Sequence, residues 1–173
     1  MARKFRGTET VKVDGKGRMS IPARFRRTFD AGDPGFETNN AGRTQLVAVY
    51  GPDEWNWIEL YTLEAIDEID EQIDALVRGT PERRWLERLM NGQSVDLEID
   101  REGRLVLPQK LREKLGLAEN TEATFQSRGD YIQVFHPDHE PADSEALGEF
   151  TSKFGPEFDP REFLRGPVLS GEG

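Results

Sequence analysis

Apolar and polar residues alternate in two short stretches that flank a glycine-rich tetrapeptide near the N-terminus of the chain. Val11 and Val13 share one face of the first stretch, and Met19 and Ile21 share one face of the second. The tetrapeptide Asp-Gly-Lys-Gly lies between them at residues 14–17. Because glycine adopts the positive φ angles of tight β-turns without strain, the pattern predicts a β-hairpin.

A later stretch repeats this order with a constant offset of 86 residues, so that residues 97–108 align with residues 11–22. The identical pairs are Asp14/Asp100, Gly17/Gly103, Arg18/Arg104, Pro22/Pro108 and Arg26/Arg112. The pairs that keep apolar character are Val11/Leu97, Val13/Ile99, Met19/Leu105, Ile21/Leu107, Phe25/Leu111 and Phe29/Leu115. Matches of this number at one offset indicate a tandem duplication.

Each copy continues with elements of the same kind. A proline in the first helical turn, followed by apolar residues four positions apart, predicts a short helix after each turn. Alternating apolar runs predict strands at residues 45–50, 57–61, 123–127 and 131–135, and Arg128-Gly129-Asp130 is typical of a hairpin turn. Residues 30–44 are rich in Gly, Asn and Asp, which predicts a long exposed loop.

Helical segments follow both sets of strands. Thr62 is a candidate N-cap for a helix whose apolar stripe comprises Leu63, Ile66, Ile69, Ile73, Leu76 and Val77. A second helix is predicted from Thr80-Pro81 to Asn91-Gly92, and residues 143–152 and 159–166 predict its counterparts near the C-terminus. The predicted α+β chain comprises a first repeat at 5–61, a helical pair at 62–92, a second repeat at 93–136, a C-terminal helical segment at 142–166 and a flexible tail at 167–173.

Charge is unevenly distributed along the chain. The 173 residues carry a net charge of -10, yet residues 1–30 hold nine Lys or Arg against three acids, so the remainder carries -16. Local potential governs association with an anionic partner, so this basic segment is the candidate DNA-binding surface. The alternative is a solvated N-terminus rich in Lys and Arg. The absence of cysteine excludes disulfides and thiolate metal sites, and no apolar run is long enough for a membrane span.

The repeated Asp-x-x-Gly-Arg motif, followed by three residues and a proline, resembles the AbrB-like DNA-binding module. Nearly the whole chain, over residues 5–165, resembles the MraZ family of bacterial regulators of the division and cell-wall gene cluster. The residues that carry the resemblance are Phe5-Arg6-Gly7, Asp14 to Pro22 with Arg24, Phe25 and Arg26, Pro81 to Arg84, and Asp100 to Arg104.

The resemblance implies both a fold and a partner. The fold would be an intertwined, swapped-hairpin β-barrel with pseudo-twofold symmetry, built from the tandem AbrB-like repeats and flanked by helices. The partner would be promoter DNA with repeated short sites, bound by a ring-like homo-oligomer that presents several N-terminal hairpins. The function would be transcriptional regulation.

The basic residues of the first hairpin are the candidate DNA contacts, because arginine can bind guanine bidentately and lysine can bind phosphate. The full candidate set is Arg6, Lys12, Lys16, Arg18, Arg24, Arg27 and Arg104. Asp14, Gly17, Asp100 and Gly103 are interpreted as a scaffold for the turns, since phosphate repels a carboxylate. The second copy is expected to be more structural, because Glu102 replaces Lys16. For Arg26 and Arg112, an ion pair on the short helix is the alternative to a functional role.

Two other functions remain open from the residues. An antitoxin-like module would bind a partner protein through its C-terminal tail. A metal-assisted hydrolase would use His136, Asp138 and His139. The proline after His136 breaks the helix that would align metal ligands, and a third ligand is not evident. The favoured interpretation is a cytoplasmic, nucleoid-associated, non-enzymatic protein that binds double-stranded DNA, without cofactor, metal or membrane contact.

Overall fold

The computed structural model describes residues 3–38, 42–141 and 143–165, and eight strands in these ranges form one antiparallel sheet. The strands are β1 (Thr8–Val13), β2 (Arg18–Ser20), β3 (Thr44–Val49), β4 (Trp57–Thr62), β5 (Ser94–Ile99), β6 (Arg104–Val106), β7 (Thr121–Arg128) and β8 (Tyr131–Phe135). The helices are α1 (Ala23–Ala31), α2 (Leu63–Asp74), α3 (Pro81–Glu87), α4 (Gln109–Leu115) and α5 (Asp143–Ser152), with a π-helical turn at Arg88–Gly92 and a 3₁₀ helix at Pro160–Arg165. The predicted strands are confirmed within one or two residues.

The two copies exchange strands. The sheet order is β1-β7-β8-β4-β3-β5-β6-β2, so β1 of the first copy pairs with β7 of the second, and β5 of the second pairs with β3 of the first. The pairs β2-β6 and β4-β8 join equivalent strands. This arrangement confirms the α+β, swapped-hairpin, nearly closed barrel with pseudo-twofold symmetry.

The prediction of a simple hairpin at residues 11–21 is wrong in one respect. The turn forms, with the Asp14 amide donating to the Arg18 carbonyl at 3.1 Å, but β1 and β2 have no ladder with each other. Instead β1 has a six-residue register with β7, and β2 pairs with β6. The backbone groups of β1 and β2 therefore form their hydrogen bonds with strands of the opposite copy. This pairing buries the apolar faces of both strands in one core.

The core is shared by both copies. The apolar positions that repeat at the constant offset are all buried in one cluster: Val11, Val13, Met19, Ile21, Phe25, Phe29, Leu97, Ile99, Leu105, Leu107, Leu111 and Leu115. Phe5 adds its ring at 4.7 Å from that of Phe29. A smaller cluster lies under α2, which presents Ala65, Ile66 and Ile73 to the sheet.

Helix α2 is shorter than its apolar stripe predicts. Thr62 is its N-cap as expected, with Oγ1 accepting from the Ala65 amide at 3.1 Å. The helix ends at Asp74, so Leu76 and Val77 lie beyond it, with Val77 73% exposed. The guanidinium of Arg83 donates to the carbonyls of Asp74 and Leu76 at 3.3 and 2.8 Å. These bonds satisfy carbonyls that a longer helix would have used.

The stretch 30–44 is anchored rather than fully exposed. Asp30 belongs to α1, and Asp33 is buried, with its carboxylate accepting from the amides of Gly35 and Gln45 at 2.9 and 2.8 Å. Thr44 is also buried and its hydroxyl donates to Asp30. Residues 39–41 of the predicted loop, and the predicted tail at 167–173, lie outside the described residues.

The chain separates into two units, one ending at Pro141 and one beginning at Ala142. The second unit contains α5 and the 3₁₀ helix, where the rings of Phe154, Phe158 and Phe163 lie 4.7 to 5.3 Å apart. In the described ranges, no helix has both the length and the apolar character needed to cross a bilayer.

Candidate nucleic-acid interface

The first turn, residues 14–18, is fixed by the carboxylate of Asp14. One carboxylate oxygen accepts from the amides of Lys16 and Arg18, both at 2.9 Å, and the other accepts from Nε of Arg18 at 2.7 Å. Gly17 completes the turn with φ at +78°. The hydrogen bond from the Arg18 amide, supported by the Arg18 side chain and the Lys16 amide, lowers the pKa of Asp14 to about 2. The carboxylate is therefore ionised and engaged at neutral pH.

The second turn, residues 100–104, repeats this geometry. Asp100 accepts from the amides of Glu102 and Arg104 at 2.9 Å each, and its other oxygen lies 3.4 Å from Nε of Arg104. Arg104 also contacts the Glu102 carboxylate at 3.4 Å through Nη2. Although burial of Asp100 opposes the shift, the hydrogen bonds and charge of Arg104 lower its pKa. The extra carboxylate at position 102 distinguishes this turn from the first.

Strand exchange places both turn arginines on one cleft. Arg18 and Arg104 line a cleft of about 1090 Å³ together with Lys12. The reason is the β2-β6 pairing, in which Arg18 is opposite Val106 and Ser20 is opposite Arg104. The sequence led us to expect a more structural second copy, with Arg104 as a secondary candidate for DNA contact, and the structure brings Arg104 beside the same space as Arg18.

The remaining candidate cations, Arg6, Lys16, Arg24 and Arg27, do not line this cleft. Lys16 is exposed on the first turn, and Arg6 and Arg27 are exposed outside the cleft. Arg24 packs against Gly7, and its Nε lies 3.4 Å from the carboxylate of Glu9. Only Lys12, Arg18 and Arg104 of the candidate set line the cleft, among the residues that the structure describes.

The cleft also has residues that the sequence did not assign to DNA. Glu122 lies opposite Lys12 in the β1-β7 register, and His136 and Asp138 line the cleft as well. No local pattern could indicate them, because they reach the cleft only through strand exchange. His136 and His139 have ring centroids 4.8 Å apart, and Nδ1 of His136 accepts from the Asp138 amide at 3.0 Å. Within the described ranges, no three His, Asp or Glu side chains gather as metal ligands.

Arg26 and Arg112 do not form the ion pairs on their own helices that the sequence left open. Arg26 reaches the opposite turn, where Nη2 donates to the Arg101 carbonyl at 3.2 Å and the guanidinium covers Gly103. Arg112 covers Gly17 in the same way. Arg26 and Arg112 are an identical pair at the constant offset, and this match was the sequence signal that the two arginines have equivalent positions.

Comparison with known proteins identifies the family. A family model described as "MraZ protein, putative antitoxin-like" matches residues 4–75 and 90–139. These ranges include both turns and all eight strands. The chain belongs to the MraZ family.

Curated members of the MraZ family resemble the chain over most of its length. "Transcriptional regulator MraZ" of Ruegeria pomeroyi is 46% identical over 167 residues, which are 96% of this chain and 98% of the relative. The protein of the same name from Cereibacter sphaeroides is 46% identical over 143 residues, 80% and 83% of the two chains. That of Parvibaculum lavamentivorans is 34% identical over 133 residues, 77% and 76% of the two chains. The chain is therefore a member of a family of transcriptional regulators.

Proposed function

We propose that the chain regulates transcription by binding double-stranded DNA through the cleft that Lys12, Arg18 and Arg104 line. The observation that carries the proposal is the shared position of the two turn arginines on this cleft. Each arginine is attached to a turn whose aspartate accepts three hydrogen bonds or close contacts. Such preorganised side chains lose little freedom when they contact a ligand.

The chemistry of Arg18 suits base recognition. Its Nε is engaged by Asp14, which orients the guanidinium plane and leaves the two Nη groups as further donors. Two donors of one guanidinium match the O6 and N7 acceptors of guanine in the major groove, which also admits a β-ribbon. Arg6, Lys12, Lys16, Arg24 and Arg27 would add phosphate contacts that fix the orientation of the duplex.

The charge distribution of the chain favours an approach of DNA from the side of the first turn. Residues 1–30 carry the basic excess, and the rest of the chain is acidic, with six acids on α2 between Glu64 and Asp74. DNA approaching from the side of the first turn meets attraction there and repulsion from the acidic helix. The location that follows is the nucleoid, and the target proposed by resemblance is the promoter of the division and cell-wall gene cluster.

One cleft buries too little surface for tight binding, so we propose that the protein acts as a ring-like homo-oligomer on repeated short sites. Linking several weak contacts raises the effective concentration of each. A candidate self-association surface is the Trp85 surface, defined here as Trp55, Trp85, Leu86 and Leu89, which lines a groove of about 750 Å³. Trp85 is 76% exposed, and exposed tryptophan is characteristic of protein interfaces.

The decisive experiment is fluorescence anisotropy with a duplex from upstream of the protein's own coding sequence. Replacing Arg18 with glutamine should weaken binding roughly 5- to 150-fold, the range of one bidentate base contact. The matched control is Arg161→Gln, which removes an arginine of the second unit that is paired to Asp159 at 2.7 Å and has no part in the proposed DNA contact. Unchanged affinity in the Arg18 variant, or equal loss in the control, would contradict the proposal.

A protein-interaction role of the antitoxin-like kind is the second candidate, and the C-terminal unit favours it. Phe163 and Leu164 are 51% and 82% exposed in this unit. If this unit serves a protein partner and the cleft serves DNA, a chain truncated after Pro141 keeps its DNA affinity. Loss of DNA binding on truncation would oppose this separation of roles.

A further inference from the structure

The two turns are each held by the opposite copy. The Gly17 carbonyl accepts from the Leu107 amide at 2.8 Å, and the Gly103 carbonyl accepts from the Ile21 amide at 2.9 Å. Glu119, which follows α4, packs against the first turn, where a Cβ added to Gly15 would lie 2.5 Å from its carboxylate. The conformation of the first turn therefore depends on residues of the second copy.

Arg112 is the side chain of the second copy that lies against Gly17 of the first turn. A Cβ placed on Gly17 would lie 2.8 Å from Nε of Arg112 and 2.8 Å from the Leu107 carbonyl. Gly17 is buried, and its φ of +78° is one that other residues rarely adopt. Arg112 thus fills the space that a side chain at position 17 would occupy and contacts the turn at the residue before Arg18.

Arg112 is only partly buried as a residue, but its Nε atom is shielded from solvent. Nε of Arg112 is buried without a hydrogen-bond partner among the described residues, whereas Arg26, its equivalent, donates to Arg101 in the second turn. An apolar side chain of similar length could fill the space without the desolvation of an unpaired donor. The guanidinium instead occupies the space beside Gly17, at the residue before Arg18.

We infer that Arg112 is a positioning residue for DNA recognition: from the second copy, it holds the first turn so that Arg18 faces the cleft. Arg26 does the same for Arg104 in the second turn. The inference rests on the proposed function, because it assigns Arg112 a role in the affinity of the same cleft. Arg112 itself does not line the cleft and acts through Arg18.

The first test compares three variants by anisotropy on the upstream duplex. Arg112→Met keeps the apolar stem and removes the guanidinium, and should lower affinity about tenfold, as expected for residues in contact. Arg26→Met is the matched control on the second turn and should lower affinity less. Arg112→Lys keeps the charge but not the planar group, and should behave like the methionine variant. Full affinity in Arg112→Lys would show that the charge alone matters and would overturn the positioning role.

A double-mutant cycle with Arg18→Gln separates positioning from general destabilisation. If Arg112 acts through Arg18, adding Arg112→Met to the Arg18 variant causes no further loss of affinity. An equal loss in both backgrounds would mean that Arg112 acts independently, and would overturn the inference. If Arg112→Met does not fold, the same cycle is measured with Arg112→Lys.

A DNA-free measurement distinguishes failure of the inference from failure of the proposed function. In NMR spectra of the protein alone, Arg112→Met should shift the amide resonances of Gly17 and Arg18 and increase their fast motion, while Gly103 changes little. Arg26→Met should give the reverse pattern. Unchanged Gly17 and Arg18 resonances in Arg112→Met would overturn the inference even if wild-type protein binds DNA. Changed resonances with no wild-type DNA binding would retain the contact and reject the proposed function.

Discussion

At the scale of single residues, Asp14 and Arg18 act as one unit. The aspartate accepts from two amides and from Nε of the arginine, so that the turn and the side chain are fixed by the same carboxylate. The pair is partly exposed, with each side chain about 40% accessible, so the ion pair itself contributes little to stability. Its value lies in the direction that it gives to the remaining Nη groups.

This geometry predicts the titration of Asp14. The amide of Arg18, followed by its side chain and the Lys16 amide, lowers the pKa from 3.8 to about 2. Because the folded pKa is depressed, the contribution of the carboxylate to folding is fully present above pH 3.8 and is lost as the pH falls towards 2. A carboxyl-carbon NMR titration should therefore find a midpoint near 2. In Arg18→Gln the midpoint should rise but stay below 3.8, since both amide bonds remain; a wild-type midpoint at 3.8 would refute the geometry.

At the scale of elements, the turn glycines show how closely the two copies are fitted. Replacing Gly17 with alanine combines a positive φ with contacts at 2.8 Å to Arg112 and to the Leu107 backbone. Gly129, in the β7-β8 turn, has φ at +74° but no atom within 4 Å of an added Cβ. Gly129→Ala should therefore lower the free energy of unfolding by about 1 kcal/mol from backbone strain alone. Gly17→Ala should lower the free energy of unfolding by clearly more, because the contacts add to the strain. Chemical denaturation of both variants measures the difference, and equal losses would exclude the close contact.

The elements also show what the sequence could and could not predict. Period-two alternation predicted the strands, and the constant offset predicted the shared core, because both depend on local order or on the duplication itself. Local signals could not predict the strand exchange, because the Asp-Gly signal at residues 14–17 predicts a turn equally well whether β1 pairs with β2 or with β7. The swapped topology followed from the family resemblance, not from local signals. For the same reason the sequence missed His136 and Asp138 on the cleft.

The end of α2 was mispredicted for a related reason. Leu76 and Val77 continue the helical spacing. The helix nevertheless ends before them, where the Arg83 guanidinium donates hydrogen bonds to the carbonyls of Asp74 and Leu76. Spacing cannot reveal such a contact, because it depends on where α3 returns in space. Sequence order thus predicted the elements, and side chains distant in sequence decided where they stop and which cleft they line.

At the scale of the whole molecule, the proposed mechanism requires more than one chain. In the proposed mechanism, a single cleft with three cations would give a modest, salt-sensitive contact, and the acidic remainder of the chain would oppose further contact with DNA. Several clefts held at fixed spacing would convert weak contacts into tight binding on DNA whose sites repeat with matching spacing. Affinity for repeated sites should therefore depend on the surface that joins the chains.

The Trp85 surface provides the test of that dependence. Replacing Trp85 with serine removes the largest exposed apolar side chain of the groove, so the oligomer mass measured by light scattering should fall. Val77→Ser is the matched control, because Val77 is similarly exposed at 73% but does not line the groove. Affinity for a duplex with one site should change little in Trp85→Ser, since the cleft is intact, while affinity for a duplex with repeated sites should fall towards the single-site value. If neither the oligomer mass nor the affinity for repeated sites changes, self-association uses another surface of the molecule. If the oligomer mass falls but the affinity for repeated sites does not change, each cleft binds DNA independently.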